Sequence, residues 1–198
     1  MHEVQTFGIL RVPCDSNFKL LSCKTVEINN PDAEGRLILA DGVAYAEKTL
    51  GSNVIFDVAT LTGAQGPTTG KYHGAILSNS AVWEAKVLKA GRITGDCVFP
   101  IVYCPELHLS EFDSEIADMK NSVADYHNAT SSCAGLFIAS HLSSKFSGSW
   151  VHLDMAATVA SKERATGYGV SLLVGLFGSE SNSSYLKFIS TSYDSNLT

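Results

Sequence analysis

Two periods of apolar residues alternate along the chain, one typical of helices and the other of buried strands. Apolar residues at helical spacing predict helices at 34–50, 80–92, 131–146 and 167–178. Short continuous runs rich in β-branched and aromatic residues predict strands at 25–28, 53–61, 97–103 and 149–156. Because the predicted strands and helices alternate, the pattern predicts an α/β fold in which helices and a sheet form layers.

The pattern is weaker at the two ends of the chain and in one internal segment. Residues 1–23 show no clear period and are left unassigned, and residues 110–120 fit a short helix or a structured loop. The last twenty residues, from Ser179, contain seven serines, so 179–198 is predicted to be a flexible, serine-rich tail. No repeat or linker interrupts the segment between the ends, and we treat 24–178 as one domain.

Composition and charge exclude several classes of function. The 198 residues are 45% hydrophobic, which is enough for one compact core. The formal net charge is −6 without a cluster of Lys or Arg, so neither nucleic acid nor a membrane is an expected partner. Five cysteines without a CxxC pair indicate free thiols in a reducing compartment. No secretion signal is visible at the N-terminus, so the sequence predicts a cytoplasmic protein.

One polar motif stands out at the start of the first predicted helix. In "VEINNPDAEGR", residues 26–36, Asp32 and Glu34 are separated by one residue, and Arg36 follows two residues later. Carboxylates ligate hard divalent cations and catalytic zinc, and the planar guanidinium of arginine can hold an anion. Acids in the first turn of a helix are also ordinary N-terminal electrostatics, and Arg36 could simply pair with one of them. The spacing alone leaves both interpretations open.

Other candidate residues are interpreted as structural. His108, His141 and His152 lie on separate predicted elements without the spacing of a metal motif, so buried structural histidines are expected. Asp57 lies just before the "ATLTG" loop and is expected to organise that loop. Asp154 ends a predicted strand, where it could support a site or act in a turn or cap.

Several motifs in a fixed order give the chain a resemblance to a known family. "NNPDAEGRLILADGVAYA" resembles the signature of the cytosolic leucine aminopeptidase family, whose usual form is N-T-D-A-E-G-R-L. "DVATLTGAQ", "IADMKN", "CAGLFIASHL" and "WVHLDMA" follow in the order expected for that family. The likeness covers 24–178 and is closest to the probable aminopeptidase subgroup of animals. It implies a layered helix–sheet–helix catalytic domain with a mixed central sheet.

The resemblance implies a role for each residue of the acidic motif. Asp32 and Glu34 would be ligands of two divalent metal ions, which are zinc or manganese in the family, with magnesium possible at one site. Arg36 would be catalytic, because it would hold the bicarbonate ion that acts as general base. The implied reaction is the metal-dependent release of N-terminal amino acids from peptides.

The resemblance also implies substrate-binding residues and an assembly. The residues that would line the site or contact substrate are Asn30, Thr60, Leu61 and Gly63. The expected partners are small peptide substrates and further copies of the chain, because members of the family usually form hexamers in the cytoplasm.

The sequence departs from the family pattern in one important respect. The other metal ligands of the family, a lysine and two aspartates, lie in upstream segments that include K-G-x-x-F-D-T-G-G. This chain has no Gly-Gly pair, and only 23 residues precede the region of likeness. The catalytic domain is therefore expected to be incomplete at its N-terminal side and to bind metal weakly. An alternative function follows, in which the chain is an inactive truncated relative that serves as an assembly or regulatory subunit.

Overall fold

A computed structural model describes residues 17–194, which form nine strands and seven α-helices. The strands are β1 Asn17–Lys19, β2 Thr25–Glu27, β3 Val54–Ala59, β4 Gly74–Ser78, β5 Val98–Pro100, β6 Met119–Lys120, β7 Ser149–Asp154, β8 Ala160–Ser161 and β9 Arg164–Ala165. The helices are α1 Gly35–Lys48, α2 Gln65–Thr69, α3 Ala81–Thr94, α4 Pro105–His108, α5 Thr130–Ala139, α6 Val170–Phe177 and α7 Ser184–Asp194. Three 3-10 helices span Pro31–Ala33, Leu109–Phe112 and Gly178–Glu180.

A mixed four-stranded sheet lies at the centre, in the order β3-β7-β4-β5. Strands β3 and β7 are parallel, β7 and β4 are antiparallel, and β4 and β5 are parallel. The register of the first pair places Ala59 beside Asp154, so both strands end at the same edge of the sheet. This topology confirms the predicted α/β fold with a mixed central sheet. The incompleteness of the sheet at its N-terminal side stays a prediction.

Helices cover both faces of the central sheet, because the side chains of a strand alternate between its two faces. On one face, the buried residues of α1 and α5 pack against Ile55, Leu77 and Trp150. On the other face, α3 and α6 pack against Ile76 and Leu153. The layers are therefore helix, sheet and helix, as the resemblance implies.

A second, smaller sheet positions the acidic motif. Its order is β1-β2-β6, with β1 antiparallel and β6 parallel to β2. Val26 of β2 is fully buried in a cluster that includes Leu37 of α1 and Phe137 of α5. The chain leaves β2 and turns into α1 within a few residues, so this sheet fixes where α1 begins. Of the unassigned segment, only 17–23 lies within the described residues, and β1 belongs to it.

Some elements were missed or misplaced by the sequence pattern. Strand β4 was not predicted, although all five of its residues are buried, because its short run lies between glycine-rich turns. The helix predicted at 131–146 corresponds to α5, which begins at Thr130 after Ala129, where φ is a left-handed 44°, so neither Ser131 nor Ser132 caps it. Both serines are buried within the helix instead.

The predicted tail contains a helix that the sequence pattern did not indicate. Helix α7 packs against α6, and Ser190 on its inner side is buried. A Cβ atom on Gly178 would lie 2.8 Å from the carbonyl oxygen of Leu186, so glycine permits this close approach. The segment predicted as a serine-rich tail thus contains α7 at Ser184–Asp194, and residues 195–198 lie outside the described range. Flexibility of the segment stays a prediction. Among the helices of 17–194, none is long and apolar enough to cross a membrane.

Candidate functional site

A pocket of about 300 Å³ opens where the carboxyl end of β3 meets the start of α1. Five residues implied by the resemblance line it together: Asp32, Glu34, Arg36, Thr60 and Leu61. Its apolar wall includes Ile38, Leu39 and Ala59. The two remaining implied residues, Asn30 and Gly63, lie beside the pocket in the same two loops and are not part of its lining.

The turn before α1 holds the two acids in place. The side-chain Oδ1 of Asn30 accepts a hydrogen bond from the N–H of Asp32 at 2.9 Å, which caps the 3-10 helix Pro31–Ala33. Pro31 occupies the first position of that helix, where the missing N–H is not needed and the fixed φ stiffens the turn. Glu34 then forms the N-cap of α1. Asn30 thus supports the site through the backbone of Asp32.

The carboxylates of Asp32 and Glu34 are both exposed. Within 17–194, no donor forms a hydrogen bond with either carboxylate, so both are free to bind a ligand. No group of three or more His, Cys, Asp and Glu side chains that could hold a metal occurs in the described part of the chain. The pocket therefore offers two acidic ligands.

The guanidinium of Arg36 is buried, with 8% of the residue exposed. Its Nε and Nη1 atoms are buried and have no hydrogen-bond partner among the described residues. The guanidinium carbon lies 5.8 Å from the ring centre of Phe112 and 5.9 Å from that of Phe137, which is cation–π geometry. Burial lowers the pKa of Arg36 to about 10, so the side chain remains charged at neutral pH. Unpaired, charged donors in such a place fit an anion.

A buried carboxylate holds the second loop of the pocket. Asp154 is fully buried, and its Oδ1 accepts hydrogen bonds from the N–H groups of Leu61 at 3.0 Å and Thr62 at 3.4 Å. Its Oδ2 accepts from the hydroxyl of Thr62 at 2.6 Å and from that of Ser131 at 3.1 Å. Its Oδ1 also accepts from the N–H of Ala156 at 3.2 Å, which is a local turn contact, so Asp154 both holds the loop of the pocket and acts in a turn.

Close packing joins the two loops of the pocket. A Cβ atom on Gly35 would lie 3.3 Å from the Cδ1 atom of Leu61, so the start of α1 and the loop after β3 are in contact. Gln65 is fully buried and extends the loop, because its N–H donates to the hydroxyl of Thr62 at 3.2 Å. Its Oε1 accepts from the N–H of Ala157 at 2.6 Å. The loop that carries Thr60 and Leu61 is therefore held at both ends.

The role predicted for Asp57 is wrong. Its carboxylate points into the core instead of the "ATLTG" loop, and it accepts hydrogen bonds from Nε1 of Trp150 at 2.8 Å and Nδ1 of His152 at 2.5 Å. Burial lowers the pKa of His152, but the adjacent Asp57 outweighs burial and leaves that pKa raised. Asp154, the last residue of β7, organises the loop instead. Both aspartates sit on neighbouring strands, so the sequence could not show which of them faces the loop.

The histidines are buried at separate places, as predicted. His108, His141 and His152 are at most 9% exposed. Nδ1 of His141 forms a 2.6 Å hydrogen bond with the hydroxyl of Ser22. None of the three lines the pocket.

Sequence reasoning missed Asn121, although it lies in a segment that carried the resemblance. The residue is fully buried after β6, and its side chain contacts the backbone of the turn that carries Asp32. The only signal was its place in "IADMKN", which gives no indication that it reaches a turn some ninety residues earlier.

Comparison with known proteins supports the family resemblance that the motif indicates. The model of the cytosol aminopeptidase family, catalytic domain, matches residues 14–174. The chain is 66% identical over 171 residues to the human "probable aminopeptidase NPEPL1". The aligned region covers 86% of this chain and 33% of that protein. It is 48% identical over 174 residues to leucine aminopeptidase 1 of Caenorhabditis elegans, which covers 87% of this chain and 35% of that protein.

Solved structures agree with the sequence comparison. The leucine aminopeptidase structure of Caenorhabditis elegans has a TM-score of 0.83 at 46% identity, covering 88% of this chain and 36% of the other. The apo structure of leucyl aminopeptidase from Trypanosoma cruzi has a TM-score of 0.80 at 49% identity, and the match covers 82% of this chain and 32% of that one. The chain thus spans about a third of the length of the curated relatives it matches.

Proposed function

Because the chain belongs to the cytosol aminopeptidase family, we propose that it forms part of a metal-dependent aminopeptidase that releases N-terminal amino acids from peptides. The observation that carries the proposal is the composition of one pocket. Two carboxylates that have no hydrogen-bond partner among the described residues lie there with a buried guanidinium, two of whose nitrogen atoms are likewise unpaired within 17–194. Metal ions and an anion would satisfy both sets of groups.

Asp32 and Glu34 are the residues that would hold the metal ions. Divalent zinc, manganese or magnesium accepts carboxylate oxygens, and when bound such ions polarise a carbonyl group and lower the pKa of water. Two side chains do not fill the coordination shells of two ions, so affinity within this chain alone is expected to be low. The fit is therefore good in ligand type and incomplete in ligand number.

Arg36 would hold a bicarbonate ion as the general base. Its buried Nε and Nη1 have no hydrogen-bond partner among the described residues, and N–H donors of a charged guanidinium bind the oxygen atoms of an anion. The rings of Phe112 and Phe137 keep the guanidinium in one orientation and exclude water from it. An anion bound there would lie in the same pocket as the carboxylates and could accept a proton from a nearby water molecule.

The loop after β3 would bind the peptide substrate. Thr60 and Leu61 face the pocket. The exposed Gly63 leaves space beside it, since no atom of residues 17–194 lies within 4 Å of the place that a Cβ atom would take. Asn30 would support the site from the opposite loop, where it caps the turn that carries Asp32. The relatives are called leucine or leucyl aminopeptidases, which supports small peptides as substrates. Assembly into a hexamer and a cytoplasmic location belong to the same proposal.

Hydrolysis of a leucyl-anilide substrate by the purified chain with Mn²⁺ or Zn²⁺ tests the proposal. We expect metal-dependent release of the anilide product that is lost in Asp32→Ala. Glu115→Ala is the matched control, because Glu115 is an exposed acid outside the pocket. Hydrolysis that persists in Asp32→Ala would contradict the assignment of this site. Absence of any metal-dependent hydrolysis would favour the alternative of an inactive assembly or regulatory subunit.

A further inference from the structure

The side chain of Asn121 makes four hydrogen bonds to one turn. Its Oδ1 accepts from the backbone N–H of Asn29 at 3.1 Å and of Asn30 at 3.2 Å. Its Nδ2 donates to the backbone oxygen of Asn30 at 2.7 Å and of Ala33 at 3.3 Å. An amide has two donor hydrogens and two acceptor lone pairs, so every hydrogen-bonding position of this buried side chain is used on the turn.

The turn depends on these contacts because it lies between β2 and α1, where only the 3-10 helix Pro31–Ala33 has regular structure. Backbone groups at such a place need partners, and burying them unpaired costs about 1–3 kcal/mol each. A reciprocal bond reinforces the arrangement, since Oδ1 of Asn29 accepts from the N–H of Ser122 at 3.2 Å. The N–H of Asn121 itself donates to the oxygen of Glu27 at 3.0 Å. The small sheet and the turn are thereby locked together.

We propose that Asn121 is a positioning residue for the metal-binding acids, an inference that rests on the proposed function. The carbonyl that Asn121 holds at Ala33 lies between Asp32 and Glu34 in the chain, and the N–H it holds at Asn30 belongs to the residue that caps Asp32. Asn121 does not line the pocket and acts only through this backbone. It sets the separation and direction of the two carboxylates before a ligand arrives.

Two substitutions separate this role from general packing. Asn121→Asp keeps the shape and the acceptor, but it places a carboxylate oxygen against the carbonyls of Asn30 and Ala33. Asn121→Ala removes all four bonds. Asn79→Asp is the matched control, because the Asn79 side chain also accepts from a backbone N–H, that of Trp150 at 2.7 Å, and donates to a backbone oxygen. That contact lies near the start of β7, at the opposite end of the sheet from the pocket.

The first measurement is Mn²⁺ binding by calorimetry in the full chain, together with the melting temperature. We expect at least a 10-fold weaker Mn²⁺ affinity in Asn121→Asp, in the range of about 10–100-fold seen when groups that orient metal ligands are removed. Asn79→Asp should leave the affinity within twofold at a similar melting temperature. Unchanged affinity in Asn121→Asp, or an equal loss in Asn79→Asp, would overturn the positioning role.

A second measurement does not depend on metal. Amide hydrogen exchange at Asn29 and Asn30 should be at least 10-fold faster in Asn121→Ala than in the wild type and unchanged in Asn79→Asp. A wild-type chain that binds no Mn²⁺ would show that Asp32 and Glu34 do not hold the ion in this chain alone, and the exchange rates then decide whether Asn121 holds the turn. Rates at Asn29 and Asn30 that match the wild type would overturn that as well.

Discussion

The Oδ2 atom of Asp154 lies 2.6 Å from the hydroxyl oxygen of Thr62, and this contact joins the end of β7 to the loop that follows the neighbouring strand β3. The loop that lines the pocket is thus fixed by a residue on another strand. Ligands of α/β sheets gather at the carboxyl ends of strands, where loops of adjacent strands meet. Asp154 shows how such a meeting is stabilised here.

Replacing Asp154 should destabilise the fold in a graded way. Asp154→Ala removes a buried acceptor from the N–H groups of Leu61 and Thr62, and we expect the free energy of unfolding to fall by about 3 kcal/mol. Asp154→Asn keeps one acceptor oxygen and should lose about half of that amount. Urea unfolding measures both values. Asp125→Ala is the control, because Asp125 is exposed and accepts one local bond from His127. A loss in Asp154→Ala no larger than in this control would contradict the structural role.

Arg36 presents a conflict between stability and function. Its buried Nε and Nη1 have no hydrogen-bond partner in the described part of the chain, and a buried, unpaired charged group is unfavourable. We therefore expect Arg36→Met to raise the free energy of unfolding by about 1 kcal/mol while it abolishes any stimulation of hydrolysis by bicarbonate. Arg92→Met is the control at an exposed position and should change stability by no more than about 0.5 kcal/mol.

Two outcomes would count against the assigned role of Arg36. A clear loss of stability in Arg36→Met would mean that packing against Phe112 and Phe137 outweighs the unpaired nitrogen atoms. Bicarbonate stimulation that survives the substitution would place the anion elsewhere. Urea unfolding and hydrolysis assays with and without bicarbonate distinguish the two.

The order of helices and strands could be predicted because it follows from local periodicity. The helix at 34–50 and the strand at 53–61 correspond to α1 and β3, with boundaries shifted by one or two residues. The short strand β4 could not be predicted, since its five residues, GAILS, include a glycine and a serine and show no strand period. They form a strand because they pair with β7 and β5. Pairing between distant segments leaves no period in the sequence.

The candidate site shows the same division. Asp32, Glu34 and Arg36 could be identified because they lie within five residues of one another and fit a motif. Asn121 and Asp154 could not be given their roles, because each acts on a loop about ninety residues away. Their effect depends on the register of β6 against β2 and of β7 against β3, which only the fold provides.

Helix α7 depends on one glycine, which gives a test of the C-terminal segment. In Gly178→Ala, the added Cβ atom would lie 2.8 Å from the oxygen of Leu186 and 2.9 Å from Cβ of Ser190. We expect α7 to separate from α6, which should be visible as faster amide exchange at Leu186 and Ser190. Gly42→Ala is the matched control, since none of the residues that the structure describes lies within 4 Å of its Cβ position in α1. Alanine there should stabilise the helix by about 0.5–1 kcal/mol. Unchanged exchange in Gly178→Ala would contradict the packing of α7.

His141 should make the stability of the chain depend on pH. Burial, followed by the nearby charges of Lys24 and Lys48, lowers the pKa of His141 to about 4, below the ordinary histidine value of 6.5. Between pH 6.5 and pH 4, the unfolded state therefore binds a proton at His141 that the folded state does not bind. The free energy of unfolding falls as the pH falls through this range. The slope is about 1.4 kcal/mol per pH unit, so lowering the pH from 6.5 to 5 should remove about 2 kcal/mol.

Urea unfolding between pH 7 and pH 5 measures this contribution against a variant without the imidazole. In His141→Gln, the fall in stability over that range should be smaller by about 2 kcal/mol, because the proton is no longer taken up on unfolding. His127→Gln is the control for the loss of an imidazole at an exposed position. Other acidic and basic groups affect all three proteins equally, so the difference in slope isolates His141. Parallel curves for the wild type and His141→Gln would show that His141 titrates alike in the folded and unfolded states.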